Sequence, residues 1–136
     1  MTQEEKQLLL KDLCGRLPHG VMVSVQGGEF DSYKYPYQLT AVSKFGSDSF
    51  CKVYHPIYTP FGVPNVEDVK PYLRPMSSMT EEETLEFVKT VIKTPDGYPM
   101  WTTDSYDWLN AHHFDYRGFI VKGIALEAPK DMYKTE

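Results

Sequence analysis

Gln38 to Tyr54, QLTAVSKFGSDSFCKVY, decides the fold of this chain. Residues 38–45 and 50–54 mix β-branched, aromatic and polar residues, and between them Gly46-Ser47-Asp48-Ser49 gathers residue types that tolerate tight turns. The pattern predicts two antiparallel strands joined as a hairpin. Just upstream, Val21-Met22-Val23-Ser24-Val25-Gln26 places valine at every second position and reads as a further strand, closed by the turn signal Gly27-Gly28. Together the three segments predict an antiparallel meander, with the aromatic stretch FDSYKYPY (30–37) linking its first two strands.

Helices are expected before and after these strands in the chain. Thr2 followed by Glu5 forms a capping-box pattern, in which a hydroxyl and a carboxylate satisfy amides at the helix start. Leu9, Leu10, Leu13 and Leu17 then draw an apolar stripe that Gly15 and Pro18 are expected to end. His55-Pro56, Pro60, Gly62 and Pro64 keep the following residues irregular, and Val66 to Leu73 reads as a short edge strand or turn. Thr80 with Glu83 repeats the capping box ahead of Leu85, Val88, Val91 and Ile92, and Thr94-Pro95-Asp96-Gly97 is the stop. A third helix is expected from Asp104 or Ser105 to about His113, and Phe119 to Leu126 as a turn or short helix and then a short strand. The expected fold is α+β, one domain over residues 1–136. A small antiparallel sheet of three to four strands is covered by three helices that bury Leu9, Leu13, Leu85, Val88, Ile92, Trp108 and Leu109.

Composition narrows the function classes. A net charge of −5 argues against a phosphate-backbone binder, which needs a basic stripe to displace counterions. The longest purely apolar runs are three or four residues, far below the roughly 20 that span a bilayer. Cys14 and Cys51 stand apart without a C-x-x-C partner, and no apolar leader follows MTQEEKQ, so both thiols are expected reduced in a cytoplasmic protein. Cys14, beside Leu13 and Leu17 on the first helix, is expected to be a small buried thiol. The aromatic share of 14%, with ten tyrosines, favours an interaction surface, because tyrosine offers a packing ring and a wet hydroxyl.

Three blocks carry a likeness: EEKQLLLKDLCGRLPHGV at 4–21, EDVKPYLRPMSSMTEEE at 67–83 and DWLNAHHFDYRGFIVKGIALEAPKDMY at 107–133. They resemble a set of short, uncharacterised proteins encoded by phages and mobile elements of gut anaerobic bacteria. The resemblance implies that context and a stand-alone small protein. It assigns no activity, substrate or catalytic residue.

Chemistry is densest in Thr103 to Gly118, TDSYDWLNAHHFDYRG. His112 and Asp115, three residues apart, can share a helix face as two metal ligands, whereas His113 points about 100° away. A helix-terminal histidine pair serving the C-terminal dipole is the competing reading, and no metal or cofactor is called. Asp115 reads as a cap or turn carboxylate accepting two backbone amides, with Arg117 paired to it or to Asp107. The ligand reading instead gathers His112, His113, Asp115 and Arg117 around an anionic metabolite or nucleotide, bound or hydrolysed, with the planar fork of Arg117 as anchor. No catalytic string such as G-x-S-x-G accompanies them. Tyr33, Tyr35, Tyr37, Tyr54, Tyr58 and Phe61, interleaved with prolines around the meander, either fill the open face of the sheet or form an amphipathic patch for another protein. The preferred reading is a non-catalytic accessory protein that binds a protein partner through that aromatic surface.

Overall fold

The computed structural model describes residues 1–26, 36–45, 48–55 and 59–133. Helix α1 (Gln3–Arg16) starts at the expected capping box: the Thr2 hydroxyl accepts the Glu5 amide at 3.0 Å and the Glu5 carboxylate accepts the Thr2 amide at 2.8 Å. Gly15 does not end this helix. The helix passes through it to Arg16, a 3-10 turn spans Leu17–His19, and Gly20 at φ 71° supplies the left-handed residue that turns the chain toward the sheet. Gly15 instead permits close approach of another element, since a Cβ there would come within 3.0 Å of the Asn110 side chain.

The strands are β1 (Met22–Val25), β2 (Tyr37–Phe45), β3 (Asp48–His55), β4 (Thr59–Gly62) and β5 (Val69–Leu73), followed by helix α2 (Glu81–Val88). Next come a two-stranded hairpin, β6 (Ile92–Lys93) and β7 (Pro99–Met100), helix α3 (Thr103–Ala111) and β8 (Leu126–Glu127). The predicted meander is present: β1 pairs antiparallel with β2, and β2 with β3. The sheet is larger than expected, with six strands ordered β4-β3-β2-β1-β5-β8, and it is not wholly antiparallel, because β8 runs parallel to β5. Residues 69–73 form an interior strand rather than an edge, between β1 and β8, and their alternating burial shows one face turned to the core. Proline is tolerated at 71 because β8 meets β5 only at Tyr72 and Leu73, which leaves one side of Pro71 without a strand.

Two apolar clusters form, and the helices divide between them. In the larger, Leu9 and Leu13 of α1 pack on the sheet with Val23, Val25, Leu39, Cys51, Val53, Val69 and Leu73. Each such fully buried aliphatic side chain contributes roughly 1.5–3 kcal/mol. The smaller gathers Phe87 of α2 and Leu109 of α3 with Phe114, backed by Trp108, Val91 and Tyr116. The expectation that three helices together cover the sheet is therefore corrected: α1 lies on it, and α2 and α3 build a second unit.

The expected core list is corrected with it. Leu85, Val88 and Ile92 are 68%, 57% and 50% exposed, and Phe87 is the buried residue of α2. Leu85 sits two positions from Phe87, about 200° around the helix, so burying one turns the other to solvent. Ile92 belongs to the hairpin rather than to α2, and Thr94 to Gly97 forms that hairpin's turn, with the Gly97 amide donating to the Thr94 carbonyl. Cys14 is exposed, against the expectation of a buried thiol, while burial in β3 pushes the Cys51 thiol up to about 12.

Candidate functional site

Helix α3 begins when the Thr102 hydroxyl accepts the Ser105 amide, and Ser105, not a glutamate, closes the box. It ends at His112 in a two-bond cap: the His113 amide donates to Asn110 and the Phe114 amide to Leu109. That pattern places His113 at the position usually given to glycine, and its φ of 63° is left-handed. The accompanying apolar contact is Phe114 with Leu109, both fully buried. The histidine pair is thus helix-terminal architecture.

The two rings serve different neighbours. His112 stacks on Trp108 at 4.0 Å between centroids, and its Nδ1 meets the Trp108 carbonyl at 2.8 Å. His113 is buried and stacks on Tyr133 at 3.6 Å. The Tyr133 hydroxyl donates to the Tyr72 carbonyl and accepts the Met22 amide, tying the C-terminal segment across β5 and β1. Burial, reinforced by the Arg16, His19, His112 and Arg74 charges, pushes His113 down to about 4. Burial likewise raises the Tyr133 hydroxyl above the usual phenol range.

Asp115 takes the role of a turn carboxylate. Its Oδ1 accepts the Phe119 amide and its Oδ2 the Ile120 amide, each at 2.9 Å. Because the helix has already ended, His112 and Asp115 do not share a helix face, and among the described residues no group of three His, Cys, Asp or Glu could hold a metal ion. Arg117 pairs neither with Asp115 nor with Asp107 but reaches Asp12 of α1, Nε to Oδ1 at 3.0 Å. The same carboxylate receives Arg16, whose Nε lies 2.8 Å from Oδ2, and Arg16 Nη2 also donates to the Phe114 carbonyl at 2.6 Å. Asp12 and Arg16 are almost wholly buried. Both guanidiniums lie over the Tyr116 ring, at 5.3 Å for Arg16 and 5.0 Å for Arg117. Among the described residues, Arg16 Nη1 and His113 Nδ1 are buried without a hydrogen-bond partner.

The four residues of the ligand reading therefore do not line one cavity. His113 and Asp115 are interior, His112 lies against Trp108, and only Arg117 borders an open concavity, formed with Lys11, Gly15, Tyr106, Asn110 and Tyr116. Sequence reasoning missed Asp12 and Arg16. The signal was available, since Leu9, Asp12, Leu13 and Arg16 share one helical face and a charged pair inside an apolar stripe marks a buried ion pair.

The aromatic reading shifts in place. Tyr33, Tyr35 and Tyr58, and the side chain of Phe61, lie outside the described residues. Tyr37 is 2% exposed and belongs to the sheet core, meeting His55 edge-on at 5.8 Å, whereas Tyr54 is exposed. Among the described residues, exposed apolar side chains recur between 85 and 101: Leu85 and Val88 on α2, Ile92, Tyr98 and Met100 on the hairpin, then Trp101. Ile92 and Met100 are cross-strand partners. The Trp101 ring meets Phe87 at 5.4 Å and Tyr106 at 5.5 Å, fixing hairpin, α2 and α3 together. The missed signal was Tyr98 to Trp101 following a Pro-Asp-Gly turn, with apolar residues on both arms of a two-strand hairpin that has no sheet to cover them.

No protein-family model, curated protein or solved structure matches this chain. Among the described residues no helix is long and apolar enough to cross a membrane.

Proposed function

We propose that the protein is a non-catalytic accessory protein of a phage or mobile element that works in the cytoplasm by binding another protein through an aromatic and apolar surface. The context rests on the resemblance carried by residues 4–21, 67–83 and 107–133. The observation that carries the binding reading is the number of exposed apolar side chains between 85 and 101, among which Trp101 is braced by ring contacts with Phe87 and Tyr106. Exposed apolar residues beyond those a core uses mark interaction sites, and a braced aromatic anchor such as Trp101 loses little freedom on binding.

Charge adds a description of the partner. Glu81, Glu82 and Glu86 are exposed on the helix that carries Leu85 and Val88, and Glu86 is oriented by the Trp108 indole at 3.0 Å. An apolar strip beside carboxylates fits a partner whose own apolar patch is bordered by Lys or Arg. The test is affinity capture from an extract of a host anaerobe, comparing the wild-type chain with Leu85→Asp/Met100→Asp. A protein retained by the wild type and lost by the variant, at unchanged thermal midpoint, supports the reading. Equal capture by both, or capture by neither, refutes it.

A further inference from the structure

We infer that the concavity between α1 and α3 is a binding site for a small molecule that carries an oxyanion on a planar or apolar body. The concavity holds about 510 Å³ and is lined by Lys11, Gly15, Tyr106, Asn110, Tyr116 and Arg117. That volume lies within the roughly 300–1,000 Å³ of small-molecule sites. This site lies apart from the Leu85 to Trp101 surface except where Tyr106 borders both.

Its charge is the first argument. The chain carries a net charge of −5, yet the Asp12 carboxylate beneath this site is shared by two guanidiniums, Arg16 and Arg117, which leaves one positive charge uncompensated. Lys11, on the rim, is exposed and has no carboxylate within ion-pair distance among the described residues. A larger concavity, beside Arg74, differs in balance: Glu83 occupies both Arg74 amino groups at 2.7 Å, and Glu82, Glu127 and Asp131 line it against the single further cation Lys130. The smaller one has the cationic excess: Lys11 and Arg117 line it without a carboxylate on its rim.

Geometry is the second argument. Asp12 holds Arg117 through Nε, and Nη2 donates to the Tyr116 hydroxyl at 3.3 Å, which in turn donates to Asn110 Oδ1 at 3.0 Å. This chain fixes the guanidinium plane and turns the Asn110 amide nitrogen toward Gly15, where the missing Cβ leaves it room. A guanidinium anchored through Nε and one Nη2 hydrogen keeps Nη1 and the second Nη2 hydrogen as charged donors for a carboxylate or phosphate. Beside these donors, the Tyr106 and Tyr116 rings meet edge to face at 5.4 Å and form a wall on which a planar body packs.

The test is an amide-resolved NMR titration of the whole chain with adenosine monophosphate, benzoate and, as the neutral control, adenosine. Saturable shifts at Gly15, Tyr106 and the Asn110 side-chain amide with either anion, and none with adenosine, are expected; whichever anion saturates at lower concentration identifies the head group as phosphate or carboxylate. Lys11→Glu, a surface change that leaves the buried pair intact, is expected to weaken binding about tenfold, the loss of one charge-assisted contact. Arg117→Gln is expected to abolish it, and because it also releases Asp12, its folding is checked by the dispersion of the remaining amides. The inference is overturned if neither anion saturates, if adenosine binds as well as its monophosphate, or if Lys11→Glu binds like the wild type.

Discussion

The sheet half and the helical half of this molecule solve burial differently. Around α1 and the six-stranded sheet the aliphatic core is closed, and even the ionised pair Asp12 and Arg16 is sealed inside it. Around α2, the hairpin and α3 the core is three buried residues, Phe87, Leu109 and Phe114, and the other apolar side chains, aliphatic and aromatic, are only partly covered. The first arrangement spends its apolar residues on the fold. The second leaves Leu85, Ile92, Met100 and Trp101 facing outward, which is why binding is assigned to that half.

The largest way to break this contrast is Asp12→Ala. It leaves Arg16 buried beside the Phe114 carbonyl without its carboxylate and also frees Arg117. Stranding a buried charge costs about 3–5 kcal/mol, and urea unfolding is expected to show a loss of that size. A loss below about 1 kcal/mol would mean that the pair does not hold α1 to the segment after α3.

Next comes Phe87→Ala, which removes the ring that joins α2 to both Trp101 and Trp108. Truncating a buried phenylalanine costs about 3 kcal/mol at the low end of its range, appropriate to a thin cluster with an 8% exposed side chain. Hydrogen exchange separates the halves: amides of α2 and the hairpin are expected to lose protection in this variant while β1, β2 and β3 keep theirs. Uniform loss would show that the two clusters unfold as one.

How far each half was legible follows from the same division. Several interactions within five residues were read correctly, namely the Thr2–Glu5 and Thr80–Glu83 boxes and Asp115 serving two backbone amides just ahead of it, whereas the Asp12–Arg16 pair, four apart, was missed. The meander was also readable, because strand alternation and turn chemistry are local. The Asp12–Arg117 pair joins residues 105 apart, and no local pattern announces it. The parallel β8 strand depends on where the chain returns after α3, marked by the Arg74 amide donating to His113 and the Asp115 amide donating to Arg74. On α2 an apolar stripe was visible, but Leu85, Val88 and Phe87 offer two possible faces, and only contact with Trp101 and Trp108 selects Phe87.

Acid tests the helical half further, because His113 after α3 and Glu83 on α2 both have pKa values displaced downward. In the native chain His113 is held neutral down to about 4, so above pH 6.5 both folded and unfolded chains carry it neutral and it contributes no slope. As pH falls from 6.5 toward 4 the unfolded chain takes up the proton first, and stability falls across that window. His113→Asn, which keeps a residue tolerant of left-handed backbone, is expected to flatten the slope there. Glu83 acts lower: its hydrogen bonds from Arg74 outweigh desolvation and hold its carboxyl down to about 2 against an ordinary value of 4.5. Its contribution is present above 4.5 and is lost as pH falls toward 2. Glu83→Gln is expected to remove that lower slope and to cost about 1 kcal/mol at neutral pH, since the amide still caps α2 but no longer grips Arg74 as a charge. Stability measured against pH in the two variants checks both assignments, and an unchanged slope between 6.5 and 4 in His113→Asn would deny the histidine its share.

The smallest expected effect on stability is the most informative about function. Leu85→Ser changes a side chain that is 68% exposed and turned about 200° from Phe87, so unfolding free energy is expected to stay within about 0.5 kcal/mol of the wild type. Val121→Ser, at a residue 93% exposed in the turn before β8, is the matched control. If exposed leucine and exposed valine were equivalent surface accidents, neither change would alter partner capture. If the α2 and hairpin surface is the binding face, Leu85→Ser weakens capture by about 1–2 kcal/mol of lost apolar burial while Val121→Ser leaves it untouched, and the two variants part in binding while agreeing in stability.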